Sequence, residues 1–350
     1  MITPIGRQTL RLDAPVHVTA GAAIGGKLEG EGPLRDRFDE ISEDSYFGQK
    51  SWEAAETVML GRCFALAAKK AGLKPEAMRY VLSGDLQNQC TGSAYAARDL
   101  NAPYLGLYSA CATMGEALGL GAILTAAGAG PVCAMTCSHF CSAERQFRTP
   151  LEYGSQRSPV AQWTATAAGA AVLRPEGYGP RVTHVTTGRI VDAGITDIGN
   201  MGAAMAPAAL DTLAAHFRDT GREPEYYDAV ITGDLAKFGH ELLAEMLAEE
   251  GFEMPAVFTD CGMLIYDPAA QDVHSGGSGA GCSASVFAGH ILRCLNDGIW
   301  KKVLFAPTGA LMSPVTVQQG ESIPAICHAV ALELPGESHA ERVERREEAR

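Results

Sequence analysis

Short apolar runs alternate with longer helix-period stretches along most of the chain. Val16–Ala22 reads as an opening strand, followed by a glycine-rich loop that contains Lys27. Residues 31–50 are polar, with many charges, and read as loop. A helix is expected from about Ser51 to Lys70, with Ser51 as N-cap and Ala54, Val58, Cys63, Leu66 and Ala67 as its apolar stripe.

One pattern then occurs twice. Tyr80-Val81-Leu82-Ser83-Gly84-Asp85-Leu86 is matched by Ala229-Val230-Ile231-Thr232-Gly233-Asp234-Leu235. Each is a short apolar strand ending in a small residue, Gly, Asp and Leu, and a helix pattern follows each. Tyr104–Ala110 reads as a strand, a small-residue turn and a long helix, Cys111–Ala127, before the strand Val132–Thr136. In the later part, the turn His274–Gly279 precedes the helix Gly281–Leu295 and the strand Lys302–Ala306. Matched elements lie about 150 residues apart, which is a duplicated half rather than a solenoid repeat. Alternating strands and helices predict mainly parallel sheets covered by helices, an α/β fold. The expected division is residues 1–175, residues 176–335 and a Glu/Arg-rich tail at 336–350.

Residues 139–163 interrupt the pattern as a polar excursion carrying His139, Glu144, Arg145, Arg148, Tyr153, Gln156, Arg157 and Gln162. Long loops of this kind are often functional. The strand Ala167–Leu173 closes the first half.

Composition narrows the function classes. The 350 residues are 47% hydrophobic and 20% charged, which suits a globular chain with a large core. The net charge of −13, with no Lys/Arg cluster, argues against nucleic acid as a partner. Ten cysteines lie mostly in apolar runs, and residues 1–15 lack the apolar core of a secretory signal, so a reducing cytoplasmic compartment is expected. Residues 117–137 carry no charge and have the length of a membrane span. Gly130-Pro131 divides them, however, so a helix, a turn and a strand are expected instead of a transmembrane helix.

Cys111 carries the clearest chemistry. It opens a long helix within Tyr108-Ser109-Ala110-Cys111-Ala112-Thr113-Met114-Gly115. Unpaired N–H groups and the helix dipole lower a thiol pKa at such a place, so a nucleophile is one reading and a buried structural cysteine the other. Cys133, Cys137 and Cys141 with His139 lack the usual CxxC spacing, which favours core packing over a metal site. Gly276–Gly281 lacks the Lys-Ser/Thr pair of a phosphate loop.

Several features together resemble a known family. The cysteine at the head of an Ala/Gly helix, the duplicated half and Gly169-Ala170-Ala171-Val172-Leu173 are similar to the thiolase fold. Thr136-Cys137-Ser138-His139-Phe140, Ala143–Arg148, Glu152–Arg157, Ala161–Thr164 and the two Gly-Asp-Leu turns resemble the stage V sporulation protein AD family, from about Gly6 to about Glu333. The resemblance implies two βαβαβ halves in α/β/α/β/α layers. It implies a protein of spore formers that binds dipicolinic acid. Membrane subunits and other proteins of the same operon would be its partners in moving dipicolinate, with calcium, into the spore. It would be cytoplasmic or peripheral on the spore inner membrane, a homodimer, with roles in sporulation and germination.

Catalysis in thiolase relatives needs a histidine and a second His or Asn beside the cysteine. Asp234 stands near the position of that histidine, and the turn Gly279–Ser283 has no Asn. The resemblance therefore implies a vestigial nucleophile and no enzyme; an acyltransferase or condensing enzyme using Cys111 is the alternative. The candidate ligand site is Cys111, Asp85, His139, Arg145, Asp234, Ser275 and Gly277, with no metal ligand or cofactor assigned. The turns before Cys111 and at Ser275–Gly279 are expected to face each other and each to cradle one carboxylate by backbone N–H groups. Lys27, Arg145 and Arg148 are the cations available to assist. Asp85 and Asp234 can hold calcium or brace the loops that follow them, and bracing is favoured.

Overall fold

The computed structural model describes residues 1–143 and 157–335. Two five-strand runs share one order. The first is His17–Gly25, Ala167–Arg174, Val132–Ser138, Tyr80–Gly84 and Tyr104–Gly106. The second is Arg181–Thr186, Ala329–Glu333, Lys302–Ala306, Ala229–Thr232 and Phe258–Asp260. Within each run the first two pairings are antiparallel and the last two parallel. The expectation of mainly parallel sheets is corrected here. Ala167–Arg174 lies antiparallel between His17–Gly25 and Val132–Ser138, and Ala329–Glu333 lies antiparallel in the same place in the second run. The runs meet where Arg181 pairs with His17, and one extended sheet results.

Three buried clusters define the layers. One, between the runs, contains Met114, Leu118 and Ala122 from the helix Thr113–Leu124 and Ala284 from Ala280–Val286, packed on strand residues of both halves. A second lies under Trp52–Lys70 and Thr91–Arg98. The third lies under Met201–Thr220 and Ala236–Glu249. This is the layered α/β fold of the thiolase type. Small residues make the inner layer thin. A Cβ on Gly169 would lie 2.1 Å from the Ala284 carbonyl oxygen, so only glycine lets the inner helix rest on that strand.

Several boundaries differ from the sequence reading. Lys27 begins a short helix, Lys27–Gly30, rather than lying in a loop. The strand expected at Tyr104–Ala110 ends at Gly106. The expected helix Cys111–Ala127 is a 3-10 turn at Ala110–Ala112, an α-helix to Leu124 and a wider turn to Ala129. Ser51 caps its helix, its Oγ accepting from the Ala54 N–H at 3.2 Å. The buried face of that helix is Ala55, Glu56, Met59, Leu60, Cys63, Phe64, Ala67 and Ala68, offset from the expected stripe. Ala54, Val58 and Leu66 are only half-buried, because the second layer meets the helix on the side where Glu56 lies. Among the described residues one helix, Ala110–Ala129, is long and apolar enough to cross a membrane, and it lies mostly buried between the sheets.

Candidate functional site

A cleft of about 810 Å³ opens where the two halves meet. Its floor contains Cys111, Ser278 and Gly279; its walls include Leu86–Cys90, Tyr104, Tyr108 and Ala310–Pro314. No Asp, Glu, Lys, Arg or His side chain is among the lining residues, counting only those described. The polar groups on its wall are amides and hydroxyls: Gln87, Asn88, Gln89, Tyr108, Thr164, Ser313 and Thr316.

The floor is built by close approach of two turns. The Ser283 Oγ donates to the Cys111 carbonyl oxygen at 3.2 Å. Gly309 passes against the same turn; a Cβ there would lie 2.1 Å from the Ser109 oxygen and 3.1 Å from the Cys111 nitrogen. The turn is strained at Ala110, whose φ of 48° lies in the left-handed region. Gln89 and Cys90, on the facing wall, are left-handed as well, at 55° and 52°.

Asp234 sets the electrostatics of the floor. Its side chain is fully buried and accepts from Ser278 Oγ at 2.9 Å, Thr308 Oγ at 2.9 Å and the Gly279 N–H at 3.2 Å. The Cys111 thiol lies close by, near enough to feel its charge. Burial, then the negative charge of Asp234, push the thiol pKa well up. The opening of a helix is therefore overridden, and the thiol is held protonated. Burial, with Asp260 nearby, raises the Asp234 carboxyl to about 6. Asp260 itself accepts from the N–H groups of Leu235, Ala236 and Gly262 and from Thr232 Oγ, fixing the turn that carries Asp234.

Asp85, at the matching place in the first half, does different work. It accepts from the N–H groups of Gln87 and Ser93 and from Ser93 Oγ. It thus braces the wall loop from behind and does not line the cleft. Among the described residues no cluster of three His, Cys, Asp or Glu side chains is arranged to hold a metal.

The remaining candidates are placed as follows. His139 is buried away from the cleft, with Nε2 bonded to the Ser45 carbonyl and Nδ1 accepting from the Cys141 N–H. Burial lowers its pKa. Ser275 Oγ accepts from the Phe238 N–H, outside the cleft. Gly277 faces Ile265, Cys282 and Tyr266, so Ser278 and Gly279 are the residues of that turn which reach the cleft. Lys27 is exposed and does not line it. His274 pairs with Asp272 and Ser158 rather than approaching Cys111. Glu144, Arg145, Arg148, Tyr153, Gln156 and the tail lie outside the described residues. Cys133 and Cys137 are buried core, as their apolar strand suggests.

Three features were missed from sequence. The wall at Gln87–Cys90 has no motif beyond its place after the repeated Gly-Asp-Leu. Thr308–Ala310 is a short strand directly after Lys302–Ala306, and the only signal for it was the glycine that lets backbone come close to the Cys111 turn. The third is His328, whose Nδ1 accepts from Gly188 N–H at 3.3 Å. Its Nε2 therefore donates to Ser109 Oγ at 3.1 Å, and Ser109 Oγ donates to Glu116 at 2.7 Å. This chain of groups supports the Cys111 turn from behind, and burial lowers His328 to about 4, keeping it neutral.

Similarity to known proteins agrees with this architecture. The family model described as Stage V sporulation protein AD matches residues 6–333. Stage V sporulation protein AD of Bacillus subtilis (strain 168) is 40% identical over 332 residues, covering 95% of this chain and 98% of that protein. Among solved structures, human mitochondrial 3-ketoacyl-CoA thiolase superposes with a TM-score of 0.57 at 12% identity, covering 93% of this chain and all of that one. The 3-oxoacyl-[acyl-carrier-protein] synthase III of Aquifex aeolicus VF5 gives 0.56 at 14% identity, covering 91% and 99%. At such identities these two show the fold alone. The match across both halves and the close bacterial relative place the chain in the stage V sporulation protein AD family, whose members take part in sporulation.

Proposed function

We propose that the chain is a non-catalytic dipicolinate-binding protein of the assembly that moves dipicolinate into the developing spore, with the cleft above Cys111 as its site. The observation that carries this reading is the pairing of the Cys111 thiol with a carboxylate, Asp234. A nucleophilic thiol needs a base or a cation that favours thiolate; a carboxylate beside it does the reverse. The cleft suits a small planar ligand, with the rings of Tyr104 and Tyr108 on one wall and neutral amide and hydroxyl groups along it.

Dipicolinate carries two carboxylates, and the described lining offers no positive charge to meet them. Calcium carried with the ligand supplies that charge in this reading. The membrane subunits of the same operon are the partners in this reading, and the protein sits on the spore inner membrane as a peripheral subunit, active in sporulation and germination. A homodimer belongs to the same reading; Tyr104–Gly106, the last strand of its run with Leu105 exposed, supports it as the edge for a second copy.

One observation favours a second reading. The lining is largely apolar and Cys111 stands at its floor, which also suits an acyl chain on a condensing enzyme. Incubation with acyl-CoA followed by intact-mass measurement separates the two. The binding reading expects no adduct. A stable acyl adduct on the wild type that is lost in Cys111→Ala overturns it.

A further inference from the structure

The wall loop after Asp85 has a counterpart in the same chain that lacks its cleft-lining part. In the second half the turn Asp234-Leu235 enters its helix directly, at Ala236. In the first half Asp85-Leu86 is followed by Gln87–Cys90 before the helix Thr91–Arg98. Those interposed residues line the cleft, whereas Leu235 and Ala236 do not.

The loop is pinned at both ends. The Gln87 N–H donates to Asp85 at 2.8 Å; its side chain donates to Glu56 Oε2 at 2.8 Å and accepts from Thr91 Oγ at 3.0 Å. The Cys90 N–H donates to the Gln87 carbonyl at 3.0 Å, and its thiol to the Leu107 carbonyl at 3.5 Å. Gln89, with φ 55° and ψ 25°, is left-handed, as is Cys90. Non-glycine residues hold that conformation only at a cost, and the pins on either side keep the loop in it.

Most amide and hydroxyl side chains of the cleft are committed to the protein. Beside Gln87, Tyr104 donates to the Ser83 carbonyl, Ser278 donates to Asp234, and Ser313 and Thr316 cap the helix Pro314–Gln318. Thr164 is engaged within the protein as well. Among the described lining residues, the amides of Asn88 and Gln89 and the hydroxyl of Tyr108 make no hydrogen bond to the protein. All three residues are exposed, so a ligand meets these groups without breaking a bond inside the protein.

We infer that Asn88, Gln89 and Tyr108 are the specificity-determining residues of the cleft, and that they donate to the carboxylate oxygens of its ligand. This rests on the reading of the cleft as a dipicolinate site.

The charge distribution assigns the carboxylate to this wall. A carboxylate only accepts, and amide N–H and phenol O–H groups are neutral donors. The described lining has no Lys, Arg or His to compete with them. At the floor, Ser278 Oγ and the Gly279 N–H already donate to Asp234, whose negative charge repels a second carboxylate. The ring of the ligand then lies over the floor, at Cys111.

Titration calorimetry in calcium-free buffer at pH 7.5 tests this through the sign of an introduced charge. Asn88→Ala and Gln89→Ala should each weaken dipicolinate binding about tenfold, the size of one hydrogen bond to a charged group. Gln89→Glu and Gln89→Lys make equal demands on the backbone, so a merely structural loop responds to both alike. The inference expects the Glu variant to bind at least about tenfold more weakly than wild type and the Lys variant at least as tightly. Val315→Glu, exposed beside the cleft but not lining it, measures charge at a distance and should change binding less than about threefold. Tyr108→Phe should weaken binding about threefold to tenfold. Gln89→Gly suits the left-handed backbone and removes the amide, so it should unfold no lower than wild type while binding as weakly as Gln89→Ala. Unchanged affinity in Asn88→Ala and Gln89→Ala, or a shift of the same sign in Gln89→Glu and Gln89→Lys, overturns the inference. Isophthalate and benzoate, titrated in parallel, separate it from the reading beneath it. A wild type that ignores dipicolinate but binds either of these, with the same order among the variants, defeats the dipicolinate reading and keeps the inference. A wild type that binds none of these carboxylates overturns both.

Discussion

The Cys111 thiol lies beside the buried Asp234 carboxylate at the floor of the cleft between the two halves. The carboxylate is itself fixed by Ser278, Thr308 and Gly279. A thiol in this position is a polar floor for a ligand and a poor nucleophile.

Alkylation measures that state. Peptide-resolved mass spectrometry with iodoacetamide at pH 8 should find Cys111 slower than an exposed thiol. Asp234→Asn removes the opposing charge and should raise the Cys111 rate several-fold. A Cys111 that reacts fastest of the ten cysteines in the wild type contradicts the protonated-thiol account.

Asp234 also makes a pH-dependent contribution to stability. Its folded pKa of about 6 lies above the ordinary carboxyl value of 3.8, so the folded state binds the proton more tightly. Stability is then lost as pH rises from about 4 to about 6. The group accounts for roughly 2–3 kcal/mol across that window. Urea titrations between pH 4 and 7 should show a shallower decline in Asp234→Asn than in the wild type. The same slope in both would assign the effect elsewhere.

Much of the fold was legible because it rests on backbone-scale patterns. The twin Gly-Asp-Leu strands, the Ala/Gly helix after Cys111 and the strand Lys302–Ala306 follow from periodicity and small-residue runs. The division of labour between the two matched aspartates was not legible. Asp85 turns back on its own loop, whereas Asp234 reaches across to Ser278 and Thr308, and identical local sequence says nothing about which. Glu56 was hidden for a related reason. A lone Glu on a helix reads as a solvated position, and only the packing of Cys137, Gln87 and Ser142 around it shows that it is buried.

The turn at Gly277–Gly279 separates packing from binding. A Cβ on Gly277 would meet Ile265 at 2.7 Å, so Gly277→Ala should cost about 1–3 kcal/mol by overpacking and leave cleft contacts in place. Gly279 has a φ of 98° and would meet Ser138 Oγ at 2.7 Å, so Gly279→Ala should cost about 1–3 kcal/mol through strain and also displace the cleft floor. Thermal unfolding with and without ligand is the measurement. The ligand-induced rise in Tm should persist in Gly277→Ala and shrink in Gly279→Ala; a rise lost equally in both would show that the turn does not divide this way.

The most direct test of the dipicolinate site is calorimetric titration of the whole chain with dipicolinic acid, with and without calcium, beside Cys111→Ala and Ser278→Ala. The account predicts saturable one-site binding, stronger with calcium and weakened several-fold by each substitution. Absence of saturable binding under both conditions, or binding that neither substitution changes, would contradict the cleft above Cys111 as the dipicolinate site.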